Sequence, residues 1–155
     1  MKSSELFDFT QTLAEPLLRE REYPESALDD LRGYIESIGR ELDSERYCEI
    51  SRNVWVAKTA NIAPSACIMP PCIIGEWTEV RHCAYIRGSA LIGDRCVIGN
   101  SSEIKNSILF NRVQVPHFNY VGDSVLGYGA HLGAGAVTSN VKCDRSCVCV
   151  TRNGV

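Results

Sequence analysis

The sequence predicts an all-β solenoid, a parallel β-helix, preceded by a short α-helical segment. The first observation is a large apolar residue at every sixth position: Val56, Ile62, Ile68, Ile74, Val80, Ile86, Ile92, Ile98, Ile104 and Phe110. The second is a small residue four positions after each of the first eight: Ala60, Ala66, Cys72, Thr78, Ala84, Ala90, Cys96 and Ser102. A period of six fits neither a helix nor simple strand alternation, so it indicates an internal repeat that stacks into coils.

Helical spacing of apolar residues precedes the repeat. A first stripe consists of Leu6, Phe9, Leu13 and Leu17, and a second of Leu28, Leu31, Ile35, Ile38 and Leu42. We expect Pro16 to kink or restart the first helix. The sequence thus predicts a helical segment at residues 1–48 and a β-helix at residues 49–155. The apolar stripes would pack on the first coil, on each other or on a neighbouring subunit.

The series of large apolar residues six positions apart, here called the hexad ladder, is interrupted after Phe110. Pro116 occupies the next expected position, and the period returns only at Tyr120, Leu126 and Leu132. We interpret residues 115–120 as a loop that leaves the wall and carries His117, because rigid scaffolds commonly present functional groups on loops. The repeat also fades before Val155. We therefore expect the β-helix to be truncated at its C-terminus.

Composition narrows the function classes. The net charge is −3, and no basic stripe suggests nucleic acid as a partner. No segment resembles a signal peptide or a membrane span, which favours a cytoplasmic protein. Of the eight cysteines, Cys72 and Cys96 are expected to be reduced core residues. We predict no metal site at Cys143, Cys147 and Cys149, because their spacing lacks the paired pattern of common zinc sites.

Several polar residues are brought near His117 by the repeat. Residues about 18 positions apart are stacked in neighbouring coils, so Glu103 and Lys105 lie roughly one coil below Tyr120. A carboxylate, an ammonium group and an imidazole could therefore share one edge. Further candidates are Arg81, His131, Asn140 and the turn at residues 133–135.

Motifs in the second half resemble the acetyltransferase domain of bifunctional N-acetylglucosamine-1-phosphate uridyltransferases. The matching residues are Gly99-Asn100, Glu103-Ile104-Lys105, His117, Tyr120-Val121-Gly122-Asp123-Ser124, Leu132-Gly133-Ala134-Gly135 and Asn140. The spacing of twelve from Lys105 to His117 and the Tyr-Val-Gly-Asp run are specific to that family, whereas hexads are shared by many acyltransferases. The match covers about half of the chain, and it implies a left-handed β-helix.

The resemblance implies acetyl transfer from acetyl-CoA to the amine of glucosamine 1-phosphate or a similar amino sugar, as in sugar-nucleotide synthesis. His117 would be the general base, because the amine must lose a proton before it attacks the thioester. The other implied roles are orientation of the base by Glu103, phosphate binding by Arg81 and Lys105, sugar and amine binding by Tyr120 and Asn140, and oxyanion stabilisation by the Ala134 N–H.

The resemblance also implies a homotrimer with sites between subunits. One position departs from the family pattern, because His131 stands where the family has an asparagine that binds the acceptor. Histidine has different hydrogen-bonding geometry and can carry charge. The acceptor sugar is therefore open.

Two other function classes are compatible with the sequence. One is a non-catalytic trimeric scaffold or regulatory subunit. The other is a zinc enzyme resembling γ-class carbonic anhydrases, for which His82 and His117 are 35 residues apart. That class needs a third histidine soon after the second, and Gly122 and Asp123 occupy those positions. Residues 1–48 are too short for a nucleotidyltransferase domain, so the sequence predicts none.

Overall fold

A computed structural model of the chain describes residues 2–138, 142–144 and 146. Its N-terminal segment contains α1 (Ser3–Leu6), α2 (Glu15–Arg19) and α3 (Leu31–Gly39), with 3₁₀ turns at Phe9–Gln11 and Pro24–Ala27. The first predicted helix is thus divided. Asp8 begins a 3₁₀ turn by accepting a hydrogen bond from the Thr10 N–H, and Pro16 lies in the first turn of α2, where its missing N–H costs nothing.

Fourteen strands follow in the described part of the chain. They are β1 (Tyr47–Ser51), β2 (Val54–Ala57), β3 (Asn61–Ile62), β4 (Cys67–Ile68), β5 (Cys72–Ile74), β6 (Glu79–Val80), β7 (Tyr85–Ile86), β8 (Ala90–Ile92), β9 (Val97–Asn100), β10 (Glu103–Lys105), β11 (Ser107–Leu109), β12 (Gln114–His117), β13 (Tyr120–Gly122) and β14 (Val125–Leu126). Sheet A has the order β1-β2-β5-β8-β11-β14, sheet B β3-β6-β9-β12, and sheet C β4-β7-β10-β13. Only β1 and β2 pair antiparallel among these strands. The predicted parallel β-solenoid is confirmed.

Strand pairing shows where the repeat changes length. Between β7 and β10, residues 18 positions apart pair, as Ile86 does with Ile104. From β11 onward the interval is 17, as in the pairs of Ile92 with Leu109 and of Ile98 with Val115. The inward ladder therefore continues through Leu109, Val115, Val121 and Leu126.

The prediction of a loop at residues 115–120 is wrong. Val115 and Val121 are fully buried ladder residues, and His117 belongs to β12. The sequence misled because Leu109 and Phe110 are both fully buried, so hydrophobicity could not show which of them belongs to the ladder. The chain has two shortened corners in place of one long interruption.

These two short corners are centred on Asn106 and Asp123. Both residues have left-handed backbone conformations, with φ of 44° and 47°. Asn and Asp tolerate this region better than other residues that carry a side chain. The two corners are also joined, because Asn106 Nδ2 donates to Asp123 Oδ1 at 2.8 Å.

The four central strands of sheet A, β2, β5, β8 and β11, are buried on both faces, which sequence reasoning did not foresee. Its inward residues fill the solenoid, while Trp55, Ile73, Leu91 and Ile108 are buried in the same core cluster as the apolar residues of the helical segment. Helix α3 packs against β5 and β8. Continuous apolar pairs along these strands are typical of sheets covered on both sides. The helical segment therefore covers a flat wall across several coils.

The two cysteines expected in the core are buried, and the other described cysteines are not. Cys72 and Cys96 are buried, whereas Cys48, Cys67, Cys83 and Cys143 are exposed. Cys147 and Cys149 lie outside the described residues. Within the described part of the chain, no three His, Cys, Asp or Glu side chains are grouped to hold a metal ion, and no helix is long and apolar enough to cross a membrane.

We expect iodoacetamide to spare Cys72 and Cys96 in the folded protein. Burial raises the pKa of Cys96 to about 12 and raises that of Cys72 as well, so neither thiol forms the reactive thiolate readily. Peptide mass spectrometry would show modification of the exposed cysteines first, with Cys72 and Cys96 labelled only in denaturant. Early labelling of Cys72 in native protein would contradict this expectation.

Candidate functional site

His117 lies where sheets B and C meet. It is the last residue of β12 and pairs with Asn100 of β9. Phe118 follows with φ of 51° and turns the chain towards β13. On the next coil, the Gly135 N–H donates to the His117 carbonyl at 3.1 Å. The side chain of His117 is exposed, so its imidazole is accessible at a corner whose backbone is bonded to the coils on both sides.

Asn119 holds this corner together. It is 3% exposed and occupies the position at which the hexads place a small residue. Its Oδ1 accepts from the His117 N–H at 3.0 Å, and its Nδ2 donates to the Gly133 carbonyl at 2.7 Å. A buried amide with both ends bonded fixes its surroundings, because breaking either bond would leave a polar group unsatisfied. Sequence reasoning missed Asn119, although a polar residue at a small position was a visible signal.

The turn at residues 133–135 lies beside His117 on the following coil. Gly133 accepts from Asn119, and Gly135 donates to His117. Ala134, between these two, is exposed. Imidazole and turn therefore share one corner on adjacent coils.

Glu103, Lys105 and Tyr120 lie on sheet C, next to this corner. Glu103 pairs directly with Tyr120, and Lys105 pairs with Gly122. The predicted stacking is present, with an interval of 17 residues. A Cβ added to Gly122 would lie 2.5 Å from the Tyr120 hydroxyl. The Tyr120 side chain therefore lies across Gly122.

Glu103 bonds a residue that sequence reasoning did not select. Its Oε1 accepts from Arg87 Nη1 at 2.8 Å, and this bond raises the pKa of Arg87. Among the described residues, no hydrogen bond joins Glu103 to the His117 imidazole. Arg87 is also a neighbour of Lys105, because the Arg87 N–H donates to the carbonyl of Ile104 at 2.8 Å. The signal for Arg87 was its position, 18 residues before Lys105.

Lys105 has a counterion on the following coil, since its Nζ lies 3.2 Å from Asp123 Oδ2. Arg87 and Lys105 thus form a row of two cations on sheet C, each paired with one carboxylate. Their side chains are 44% and 39% exposed, so an incoming anion can reach both.

Arg81 and His131 are placed on sheet B, on the other side of the His117 corner. Arg81 directly follows β6, and Nη2 donates to Glu79 Oε2 at 2.9 Å, which raises the pKa of Arg81. His131 forms a backbone bridge with Gln114 and is exposed. The structure therefore does not bring Arg81 beside Lys105. Asn140 lies outside the described residues.

The part of the chain that carries this corner matches a known protein family. Residues 69–153 match the family model described as the GMPPB C-terminal domain, which is more than half of the 155 residues. The chain belongs to the GMPPB C-terminal domain family. The segment that matches the GMPPB C-terminal domain contains His117, Glu103, Lys105 and Tyr120, whereas the whole helical segment precedes it.

Similar proteins include several called bifunctional protein GlmU. The one from Methanococcus aeolicus is 35% identical over 139 residues, covering 77% of this chain and 34% of that protein. Those from Methanococcus maripaludis strain C5 and Carboxydothermus hydrogenoformans are 37% and 39% identical, over 46% and 43% of this chain. The chain covers only 17% and 15% of those two proteins. The resemblance inferred from the sequence motifs is confirmed.

Proposed function

We propose that the solenoid, residues 49–155, is an acetyl-CoA-dependent N-acetyltransferase that acts on an amino sugar phosphate such as glucosamine 1-phosphate. It would serve cytoplasmic sugar-nucleotide synthesis. The observation that carries the proposal is the exposed imidazole of His117, whose backbone Asn119 ties to the turn at residues 133–135. The GlmU protein of Methanococcus aeolicus, similar over 77% of this chain, supports it.

The reaction assigns one proton transfer to His117. The acceptor ammonium loses a proton to the imidazole, and the free amine then attacks the thioester carbonyl of acetyl-CoA. A C–N bond forms, the C–S bond breaks, and the second proton that leaves the acceptor nitrogen is taken up by the thiolate of coenzyme A. The Ala134 N–H would stabilise the oxyanion of the tetrahedral intermediate, since backbone N–H groups on a fixed turn need no reorganisation.

The geometry points to Arg87 with Lys105 as the phosphate-binding pair. Both lie on sheet C with Glu103 and Tyr120, whereas Arg81 lies on sheet B. A guanidinium binds a phosphate through a two-pronged contact and an ammonium adds a point charge. Glu103 and Asp123 hold these cations in place until the sugar phosphate enters. Tyr120, His131 and Asn140 would then contact the sugar or its amine.

We further propose a homotrimer whose sites lie between subunits. Support comes from exposed apolar side chains on and near sheet C: Met69 is 44% exposed, Tyr85 39% and Phe118 65%. A neighbouring subunit that covered them would also close the His117 corner.

A second candidate is a non-catalytic scaffold or regulatory domain. Glu103 and Lys105 are engaged in ion pairs with other residues, and His131 replaces the asparagine of the acetyltransferase pattern. In that case the ion pairs would be structural and His117 would be a surface residue.

Thioester cleavage with acetyl-CoA separates the two candidates. We expect turnover with glucosamine 1-phosphate that exceeds turnover with unphosphorylated glucosamine. The same preparation is tested by light scattering, which should report a trimer for either candidate. Absence of turnover with a panel of amino sugar phosphates would contradict the enzyme and favour the scaffold.

Replacing Arg87 with glutamine should raise KM for glucosamine 1-phosphate about tenfold or more, because a charge-assisted hydrogen bond to the phosphate is lost. KM for unphosphorylated glucosamine should stay unchanged. Arg81→Gln is the matched control, since it also removes an arginine paired with a glutamate. An equal effect of both substitutions would argue against Arg87 as the phosphate ligand.

A further inference from the structure

We propose that the seam between the helical segment and the solenoid binds a nucleoside diphosphate sugar. A cavity of about 270 Å³ lies there, lined among others by Thr10, Thr12, Asp43, Arg46, Asp94 and Asn111. It adjoins the corner between sheets A and B, whereas His117 lies between sheets B and C. The site is separate from the proposed acetyl-transfer site and does not depend on it.

The cavity lining suits a neutral molecule rich in hydroxyl groups. Asp94 Oδ1 accepts from the Glu76 N–H at 2.7 Å, which leaves the carboxylate able to accept further bonds. Three residues with carboxylates, Glu41, Asp43 and Asp94, line the cavity together with one cationic residue, Arg46. Arg46 is itself paired with Glu76, and the pairing lowers the pKa of that glutamate. The interior therefore favours sugar hydroxyls over a phosphate.

The volume limits the occupant further. Pockets for drug-sized ligands span roughly 300–1,000 Å³. A cavity of about 270 Å³ falls just below that range, so it would hold a unit no larger than about a monosaccharide.

An aromatic and cationic row borders this cavity. Trp77, Arg95 and Arg112 occupy the same corner in three successive coils, with φ of 58°, 55° and 62°. The Arg95 N–H donates to the Glu76 carbonyl, and the Arg112 N–H donates to the Asp94 carbonyl. The backbones of neighbouring members are therefore about 4.8 Å apart, the usual spacing between paired strands. Arg95 and Arg112 each directly follow a residue that lines the cavity, Asp94 and Asn111 respectively.

The members of this row are available to a ligand. Trp77 is 60% exposed, and both arginines are exposed. Within the described part of the chain, neither arginine forms an ion pair.

The order of these groups matches a nucleoside diphosphate sugar. A nucleobase stacks on an exposed indole, and guanidinium groups bind adjacent phosphates through paired hydrogen bonds. The sugar then reaches the cavity, whose lining residues Asp94 and Asn111 directly precede Arg95 and Arg112. A free sugar would leave the two arginines and Trp77 unused, and a simple anion would leave the cavity unused. One molecule with all three parts accounts for the whole surface.

Nuclear magnetic resonance can test this with the chain as it is. The chain has two tryptophans, so Trp77→Phe assigns both indole N–H signals. We expect UDP-N-acetylglucosamine to shift the Trp77 signal and leave that of Trp55 in place, because Trp55 is only 5% exposed. UDP should bind more weakly than the nucleotide sugar. No shift of the Trp77 signal at millimolar ligand, or equal binding of UDP and UDP-N-acetylglucosamine, would overturn the proposal.

Substitutions localise the effect. Trp77→Ala and Arg112→Gln should each weaken binding about tenfold or more, while both variants keep the amide spectrum of the folded chain. Arg81→Gln serves as the control, because Arg81 is an arginine of sheet B that does not belong to the row. Equal affinity of all variants, or an equal loss in Arg81→Gln, would refute the site. The acetyl-transfer assay is independent, so either proposal can fail alone.

Discussion

Replacing His117 with glutamine should lower the rate of acetyl transfer by about a hundredfold to ten-thousandfold, which is the usual contribution of a general base. Glutamine approximates the size of the imidazole but cannot accept the proton of the acceptor ammonium. The backbone of the corner should be unaffected, because Asn119 bonds the N–H of residue 117 and Gly135 bonds its carbonyl. Steady-state thioester cleavage at saturating acetyl-CoA measures the effect.

His82→Gln is the matched control for this substitution. His82 lies on the same corner two coils away, since its carbonyl accepts from Asn100 Nδ2 and Asn100 pairs with His117. We expect the control to retain activity within about twofold, as is usual for a surface change away from the chemistry. Turnover that survives His117→Gln, or falls equally in both variants, would remove His117 from the role of base.

The six-residue repeat predicted the solenoid because each unit of six residues forms one short strand and one corner. Ile74, Ile86 and Ile98 are fully buried in three different sheets, as the pattern required. A change of one residue in corner length was harder to detect. The corners at Asn106 and Asp123 shift the register by one position each, and Phe110 imitates a ladder residue because it packs on Phe7, with ring centroids 5.1 Å apart.

Packing between distant segments explains the features that could not be predicted. Ile73, Leu91 and Ile108 point away from the solenoid interior, yet they are buried because the helical segment covers sheet A. No spacing within the hexads reports which wall a preceding helix will cover. The helical stripes predicted only that some apolar surface would receive them.

The sequence predicted which site residues are stacked on neighbouring coils, but it did not predict their hydrogen-bond partners. The stacking of Glu103 beneath Tyr120 followed from the coil length, and so did the placement of Lys105 on the same wall. Which cation Glu103 would contact depended on side-chain direction, and the contact proved to be Arg87. The phosphate role of Arg81 was implied by the family resemblance, whereas the structure places Arg81 directly after β6, on sheet B.

Replacing Gly99 with alanine should destabilise the fold by about 3 kcal/mol, in the upper range for overpacking. A Cβ at this position would lie 1.5 Å from the carbonyl oxygen of Pro116. The obstacle is backbone of the adjacent coil, so β12 must move as a unit. The unfolding temperature should fall by roughly 10 °C, as thermal unfolding monitored by circular dichroism would show.

The control is Gly133→Ala, because an added Cβ there has no atom within 4 Å. We expect a change within about 0.5 kcal/mol for this variant. A smaller loss in Gly99→Ala than in Gly133→Ala would contradict the close approach of the coils. Since Pro116 immediately precedes His117, Gly99→Ala should also reduce acetyl transfer at temperatures where the protein is still folded. The close packing of β9 against β12 thereby links stability to the position of the proposed base.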